Sequence, residues 1–419
     1  MKLKSKIVGV IVLQTLILMV LLTNCSVLAN NTPWYRTWGG AENEYGNAIA
    51  VAADGSIYCV GNTASFGLGD DDFFLVKYSS NGTKEWSKVW GNSDSEVLYG
   101  VTVDANGSIY CVGKKNLIPA ILMVFKFFPN GTQSWNLSRS VPSSMDSWQN
   151  ILVDAKGDFY CIGLTTEFAA VNGDLVVMKY YANRTFAWQE HRGGSDDECG
   201  FDLVMDSEGS IFCIGHSFQS GYKFFLVKIF TNGTYAWSNT WGSGTSFGYG
   251  IGLGLDGCIY CAGETAVMSM RDLVVTKVYP NNSLGWTRTW GVSGEHESAK
   301  GMAIDSSGNI LCVGYSGTPN ANFLLIKYNP SGTILWTSTW GGSNSDFAED
   351  VAIDSQGFIY CGGETESFGA GRFDVLLVKF SSSGTGPSTG EGSGIPGFEL
   401  IFTLISIGII PLLLKRKRF

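Results

Sequence analysis

Residues Asp104–Gly113 read DANGSIYCVG, and almost the same string returns as DSEGSIFCIG from Asp206 and DSQGFIYCGG from Asp354. An Asp-x-x-Gly cluster followed by β-branched and aromatic residues marks a tight turn entering a strand. The cysteine of this string recurs as Cys59, Cys111, Cys161, Cys213, Cys261, Cys312 and Cys361, at intervals of 52, 50, 52, 48, 51 and 49 residues. Each interval holds the same series: a β-run such as GNAIAVA, the Asp turn, SIYCVG, a variable stretch, FFLVKY, an NGT-type turn and EWSKVWG. No ten-residue window between the termini carries a helical period. Four short strands are predicted per unit, here named a to d from the centre outward, and a four-strand unit repeated seven times predicts propeller blades.

The seventh unit ends after strand c, near Phe380, without its tryptophan strand. That strand stands at the other end of the chain: PWYRTWGG, from Pro33 to Gly40, matches GWTRTWGV around Trp286. A ring needs such a displaced strand to remove its last open edge, whereas a linear solenoid does not. The expected fold is therefore all-β, a seven-bladed β-propeller over residues 30–380 closed by an N-terminal strand.

Residues that recur once per unit are read as scaffold. Trp34, Trp86, Trp135, Trp188, Trp237, Trp286 and Trp336 are expected to fill the wedge between blades. The seven cysteines are expected to be buried wall, because equivalent strands of neighbouring blades lie too far apart for disulfides. Cys199 and Cys258 stand outside the pattern, which leaves one disulfide involving them open. The CIYC spacing from Cys258 to Cys261 puts its two thiols on opposite faces of a strand, so it is read as accidental. A ring of contacts is expected between the turn aspartates (Asp54, Asp104, Asp154, Asp206, Asp256, Asp305, Asp354) and the strand-c lysines (Lys77, Lys126, Lys179, Lys228, Lys277, Lys327, Lys379).

Symmetry breaks in the b–c and d–a connections, which are long and variable and emerge on one face. That face is acidic. Asp70, Asp71 and Asp72 in one loop and Asp196, Asp197 and Glu198 in another are candidate calcium ligands, since hard cations take several carboxylate oxygens. Glu42, Glu44, Asp94, Glu96, Glu295, Glu297, Asp346, Glu349 and Asp350 add to the rim. None of these runs has EF-hand spacing, and the alternative is a solvated acidic rim. Calcium aside, no cofactor is implied. Sequons begin at Asn81, Asn130, Asn183, Asn232 and Asn281 in c–d turns, at Asn106 in an a–b turn, and at Asn30 and Asn136 elsewhere. Asn-Gly is also a good hairpin turn, so each match has a purely structural reading.

The ends give an address. Residues 1–29 carry three lysines, an apolar run and Val27-Leu28-Ala29, the pattern of a signal peptide; an uncleaved anchor is the alternative. Residues 381–397 form a Gly/Ser/Thr-rich linker, residues 398–414 an apolar run at the short end of a membrane helix, and residues 415–419 a basic tail. Basic residues beside a span stay cytoplasmic, so the bulk is expected outside, anchored at the cell surface through the C-terminal helix. Between residues 30 and 397 the chain carries 21 basic and 36 acidic residues, a net charge of −15, which argues against nucleic-acid binding.

The units AVAADGSIYCVGNTASFG and DVAIDSQGFIYCGGETESFG resemble the seven-bladed β-propeller repeat (SBBP repeat) of bacterial and archaeal surface proteins. The resemblance covers about residues 33–380 and implies the fold, not one activity. IPGFE before the apolar run and KRKRF after it resemble archaeal PGF-type C-terminal sorting segments, which implies that the tail is cut and lipidated.

Two functions fit. The first is an extracellular binding or adhesion module that contacts a surface protein or glycan. The second is a glycan hydrolase or lyase on a propeller frame, which requires unlike groups converging in the central channel from strand a. Few acids are expected inside strand a apart from Asp202, and His191, His216 and His296 are all expected at the surface. The sequence therefore favours binding, and no catalytic residue is assigned.

Overall fold

The computed structural model describes residues 32–389, apart from 117–118, 142, 144, 168–172, 195 and 268–269. The leader, the apolar run, the basic tail and Asn30 lie outside the described residues. Within them the chain forms strands and no helix, arranged as seven four-stranded antiparallel sheets. In the first blade strand a is Glu44–Val51, b Ile57–Thr63, c Asp72–Tyr78 and d Lys84–Trp90. The seventh blade takes a, b and c from Asp346–Ile353, Ile359–Thr365 and Asp374–Phe380. Its fourth strand is Trp34–Trp38, paired antiparallel from Trp34 opposite Lys379 to Trp38 opposite Val375. The displaced strand closes the ring as the sequence predicts.

The repeated string now has a part-by-part account. Asp104 Oδ1 accepts the Asn106 and Ser108 amides, each at 2.9 Å, while Gly107 turns the chain at a φ of 79°. Only a residue without a Cβ adopts that φ freely. Cys111 is fully buried against the preceding blade, among Tyr58, Val60, Phe73 and Leu75, while Tyr110 and Val112 face the following one. Strand b is thus walled on both sides. All nine described cysteines, Cys199 and Cys258 included, are unpaired and buried.

Adjacent blades are latched at the tight-turn face. The first tryptophan of strand d donates its indole N–H to a carbonyl in the next blade's c–d turn: Trp34 to Ser80 at 3.3 Å, Trp188 to Thr231 at 3.2 Å and Trp286 to Pro330 at 3.1 Å. The turn glycine beneath has no room for a side chain. A Cβ on Gly82 would lie 2.8 Å from Trp34, and one on Gly332 2.8 Å from Trp286. Arg36 adds a 2.7 Å hydrogen bond to the Gly82 carbonyl, so the closing strand holds the first blade with the same pair of contacts that Trp286 and Arg288 make to the sixth. The Asp–Lys ring forms in blades two, four, five and six, at 3.6, 3.9, 2.7 and 2.8 Å. Lys77 pairs instead with Glu85 and Lys179 with Asp158, while Lys379 donates to the Ser80 carbonyl.

Several rim acids are not solvated. Glu44, Glu96, Glu198, Glu297 and Asp346 open strand a, Asp72, Asp174 and Asp374 open strand c, and all are buried. They gather loop donors: Glu198 accepts Ser217 Oγ at 2.8 Å and the Gly194 amide at 3.1 Å, and Asp374 accepts the Ala370 and Gly371 amides at 2.9 Å. The glycine after strand d, such as Gly91 or Gly39, is wedged between a strand-c aspartate and the next blade's strand-a glutamate, where any Cβ would collide with both. Burial raises Glu96, Asp174, Glu198, Glu297 and Asp374 above ordinary carboxyl values.

Two predictions follow from this packing. Trp34→Ala, which empties a site only 7% exposed, is expected to cost about 3–5 kcal/mol. Deleting residues 33–38 is expected to give a chain that self-associates through the bared edge of Asp374–Phe380. A deletion variant that stays monomeric with an unchanged Tm would remove the closing role.

Stability is also expected to depend on pH. Unfolded carboxyls titrate near pH 4. A native value above that means the folded state binds more protons, so stability is fully present below about pH 4 and is lost as pH rises through the native values. Asp256 and Asp305 run the other way, because hydrogen bonds, led by those from Lys277 and Lys327, outweigh their burial, and so does His216, which burial lowers. Against these, nine carboxyls are raised, Asp202, Asp350, Glu349 and Glu364 together with the five above. At fixed ionic strength, Tm is expected to fall by about 3 °C or more from pH 5 to pH 8. A rise over that interval would show the buried carboxyls to be ionised and fully matched in the native state.

Candidate functional site

Every strand a carries a β-bulge at the same place. Its register skips Asn47, Tyr99, Gln149, Phe201, Tyr249, Lys300 and Glu349, one in each blade. The cause lies in strand b. A Cβ on the glycine ending each cysteine motif, such as Gly113 or Gly363, would collide with the strand-a carbonyl crossing it, that of Val97 or Phe347. A bulge re-aims the side chain it carries. All seven bulged residues line one cavity of about 210 Å³ on the ring axis, with Ala48, Asn150, Asp202, Gly301 and Asp350 from the next position along.

The strand-b cysteine and glycine beside the bulge repeat in every blade, yet six different residue types occupy the seven bulges. Lys300 is the cation of this lining, facing Glu349, Asp350 and Asp202. Its ammonium lies 4.1 Å from the centre of the Tyr249 ring and 5.9 Å from that of Tyr315. Glu349 and Glu364 are both raised, Glu349 by burial and Glu364 by burial and by Glu349, with Lys300 opposing in each case. The two glutamates therefore hold a proton more readily than surface carboxyls.

Asp202 and Asp350 also join blades from the inside. Asp202 accepts the Leu203 amide at 2.8 Å, Asn150 Nδ2 at 2.7 Å and, from the next blade, the Ile251 amide at 3.0 Å. Asp350 accepts the Val351 amide at 2.7 Å and reaches across the ring closure to the Ile49 amide at 2.9 Å. Burial raises Asp202 to about 6 and Asp350 to about 7, against the opposing pull of these donors. Towards the long-loop face the cavity meets aromatic rings. Tyr315 packs on Phe347 at 5.1 Å between centres, and Phe201 on Tyr249 at 5.1 Å. Glu264, 1% exposed, accepts from Arg271 and leaves Oε2 without a partner.

Three sequence expectations are corrected. Glu349 and Asp350, read as loop acids, sit within strand a and line the channel, so strand a is richer in acids than Asp202 alone. His216 is not at the surface: it is 8% exposed among Phe201, Tyr222 and Phe247, and burial lowers it to about 4, leaving it neutral. The acidic rim is largely internal, as described above.

The six calcium candidates lie in blade one and between blades three and four. Asp70 and Asp196 are exposed, Asp71 accepts Asn62 Nδ2 at 2.8 Å, and Asp72 caps its own loop through the Leu68 and Gly69 amides at 2.8 Å. Asp197 accepts Tyr222 Oη at 3.2 Å, and Glu198 is buried. Among the described residues, no three Asp, Glu, His or Cys side chains converge as metal ligands. The seven described sequon asparagines, Asn81, Asn106, Asn130, Asn136, Asn183, Asn232 and Asn281, are all exposed.

No curated protein matches the sequence. Among solved structures, the polysaccharide lyase Uly1 is similar at 10% identity and a TM-score of 0.53, over 82% of this chain and 91% of that one. A puromycin hydrolase (S511A mutant) is similar at 12% and 0.54, over 84% and 54%. The periplasmic gluconolactonase PpgL of Pseudomonas aeruginosa gives 14% and 0.49, over 72% and 87%. At such identities the likeness is one of fold. The family model of the beta-propeller repeat, SBBP, matches residues 336–368, which run from strand d of the sixth blade into the seventh, and the whole is a seven-bladed β-propeller.

Proposed function

We propose that this protein is an extracellular binding module and that its ligand site is the axial cavity at the bulged ring. The observation that carries this is the loss of seven-fold likeness at the bulge. A residue fixed by packing between blades repeats, as the tryptophans and cysteines do, whereas these seven face the cavity. The cavity volume suits one small polar unit rather than a polypeptide. Amides from Asn47, Asn150 and Gln149, carboxyls from Glu349 and Asp350, the Lys300 ammonium and the rings of Tyr99 and Tyr249 suit a hydroxyl-rich ligand, such as a sugar residue of a glycan. Export by residues 1–29 and anchoring through residues 398–414 would display the site outside the cell.

A second reading, a glycan-active enzyme, is favoured by one specific feature. Lys300 stands among carboxyls of unlike proton affinity, which is what acid–base chemistry on a glycosidic linkage requires. Titration of the protein with oligosaccharides, followed by calorimetry and by assay for new reducing ends, separates the two. Saturable binding without turnover is expected, and Lys300→Ala and Glu349→Gln are each expected to weaken it by about 10-fold or more. Binding unaffected by both substitutions would move the site elsewhere, and turnover abolished by either would make the protein an enzyme.

A further inference from the structure

The c–d turns repeat seven times, yet their first residue does not. It is Phe128, Tyr181, Phe230 and Tyr279 in blades two to five, and Ser79, Asn329 and Ser381 in blades one, six and seven. The four aromatic rings are 47, 48, 47 and 43% exposed, and all stand at the same position of the turn. Each stands two residues before a sequon asparagine: Asn130, Asn183, Asn232 and Asn281. The two blades without a c–d sequon have no aromatic there, and of the five with one only Asn81 lacks it.

We infer that these four asparagines carry N-linked oligosaccharides whose first sugar rests on the aromatic ring two residues earlier. Geometry supports it. Each turn is closed by a bond from the fourth residue's amide to the first residue's carbonyl, as from Gly131 to Phe128 at 2.8 Å. The asparagine Oδ1 is held by the backbone amide two residues on, from Thr132 and Thr234 at 2.9 Å and from Thr185 and Ser283 at 3.0 and 3.1 Å. With Oδ1 so engaged, the exposed Nδ2 is the atom left to react, and joining a sugar to it leaves the turn's hydrogen bonds intact. A strand-c lysine backs three of the rings, Lys179, Lys228 and Lys277 lying 5.6, 5.8 and 5.6 Å from the centres of Tyr181, Phe230 and Tyr279. Their open surface suits the C–H face of a pyranose, which is apolar and meets the negative face of the ring.

The chemistry requires an activated donor, a sugar esterified to the phosphate of a lipid carrier. Nδ2 forms a bond to the anomeric carbon, the carbon–oxygen bond to phosphate breaks, the lipid phosphate leaves with the electron pair, and one Nδ2 proton passes to a base of the transferase.

This inference rests on export, so the test uses protein recovered from outside the cell of an N-glycosylating host. Peptide mass spectrometry is expected to find oligosaccharide at Asn130, Asn183, Asn232 and Asn281. Thr132→Val with Thr234→Val removes two sequons while keeping the amides that hold Asn130 and Asn232. It is expected to lower Tm by about 2 °C, and to do nothing when Phe128 and Phe230 are already serine or when the host adds no glycan. Exported protein with four bare asparagines overturns the proposal and leaves export standing, whereas retention inside the cell overturns both. An equal loss with and without the rings overturns the stacking. Vesicle binding abolished by replacing the four rings would reassign them to a lipid surface.

Discussion

The structure depends on the pairing of Trp34–Trp38 with Asp374–Phe380, residues more than 300 positions apart in the chain. Blades bury strands b and c only because a neighbour covers each side, and a linear stack of seven would leave two outer faces and a bare edge. Closure removes all three at once. It is secured at two radii. At the tight-turn face Trp34 and Arg36 hold the first blade's turn, and near the axis Asp350 of the last blade holds the Ile49 amide of the first. The inner contact places a carboxyl in a crowded wall shielded from bulk solvent, and that burial is why Asp350 is raised so far. The residue that fastens the ring is also a lining residue of its cavity.

Seven-fold repetition separates constraint from freedom within one chain. The cysteine, strand-b glycine and outer tryptophan recur because each meets the same kind of neighbours in every blade. The glycine makes room for the crossing carbonyl of strand a, and strand a answers with a bulge. Once bulged, a residue is excused from the ladder and need satisfy only what lies on the axis. Hence Lys300, Glu349 and Tyr249 occupy equivalent places without packing conflict. The same logic holds at the opposite face, where the first residue of the c–d turn packs against little and is free to differ between blades.

The blades, their number and the displaced strand were legible from the sequence because repetition and strand periodicity are local signals that add up over seven copies. The bulge was not. One inserted residue looks like noise in a five- to eight-residue alternation, and Glu349-Asp350 reads as the tail of an acidic loop until register places both in strand a. The buried rim acids were misread for a related reason. Charge in sequence suggests water, but Glu198 and Asp346 are satisfied by hydroxyls and amides of the loops and strand ends around them, a supply visible only once the chain is folded. His216 reads as a surface residue because its cover comes from separate segments, Phe201 and Phe247 beside Tyr222 of its own hairpin.

Where the channel's polar groups stand decides how they behave. Lys300 is flanked by Tyr249 and Tyr315 on one side and by glutamates of the seventh blade on the other, so its charge is shared rather than locked to one partner. A hydroxyl-bearing ligand entering that space would accept from the ammonium and donate to a carboxylate without breaking an internal ion pair. Arg271, by contrast, is already committed to Glu264. A committed pair contributes to the wall, while an uncommitted one offers both signs of hydrogen bond to an arriving molecule. That difference, set by which blade carries which bulged residue, is what the proposed ligand site rests on.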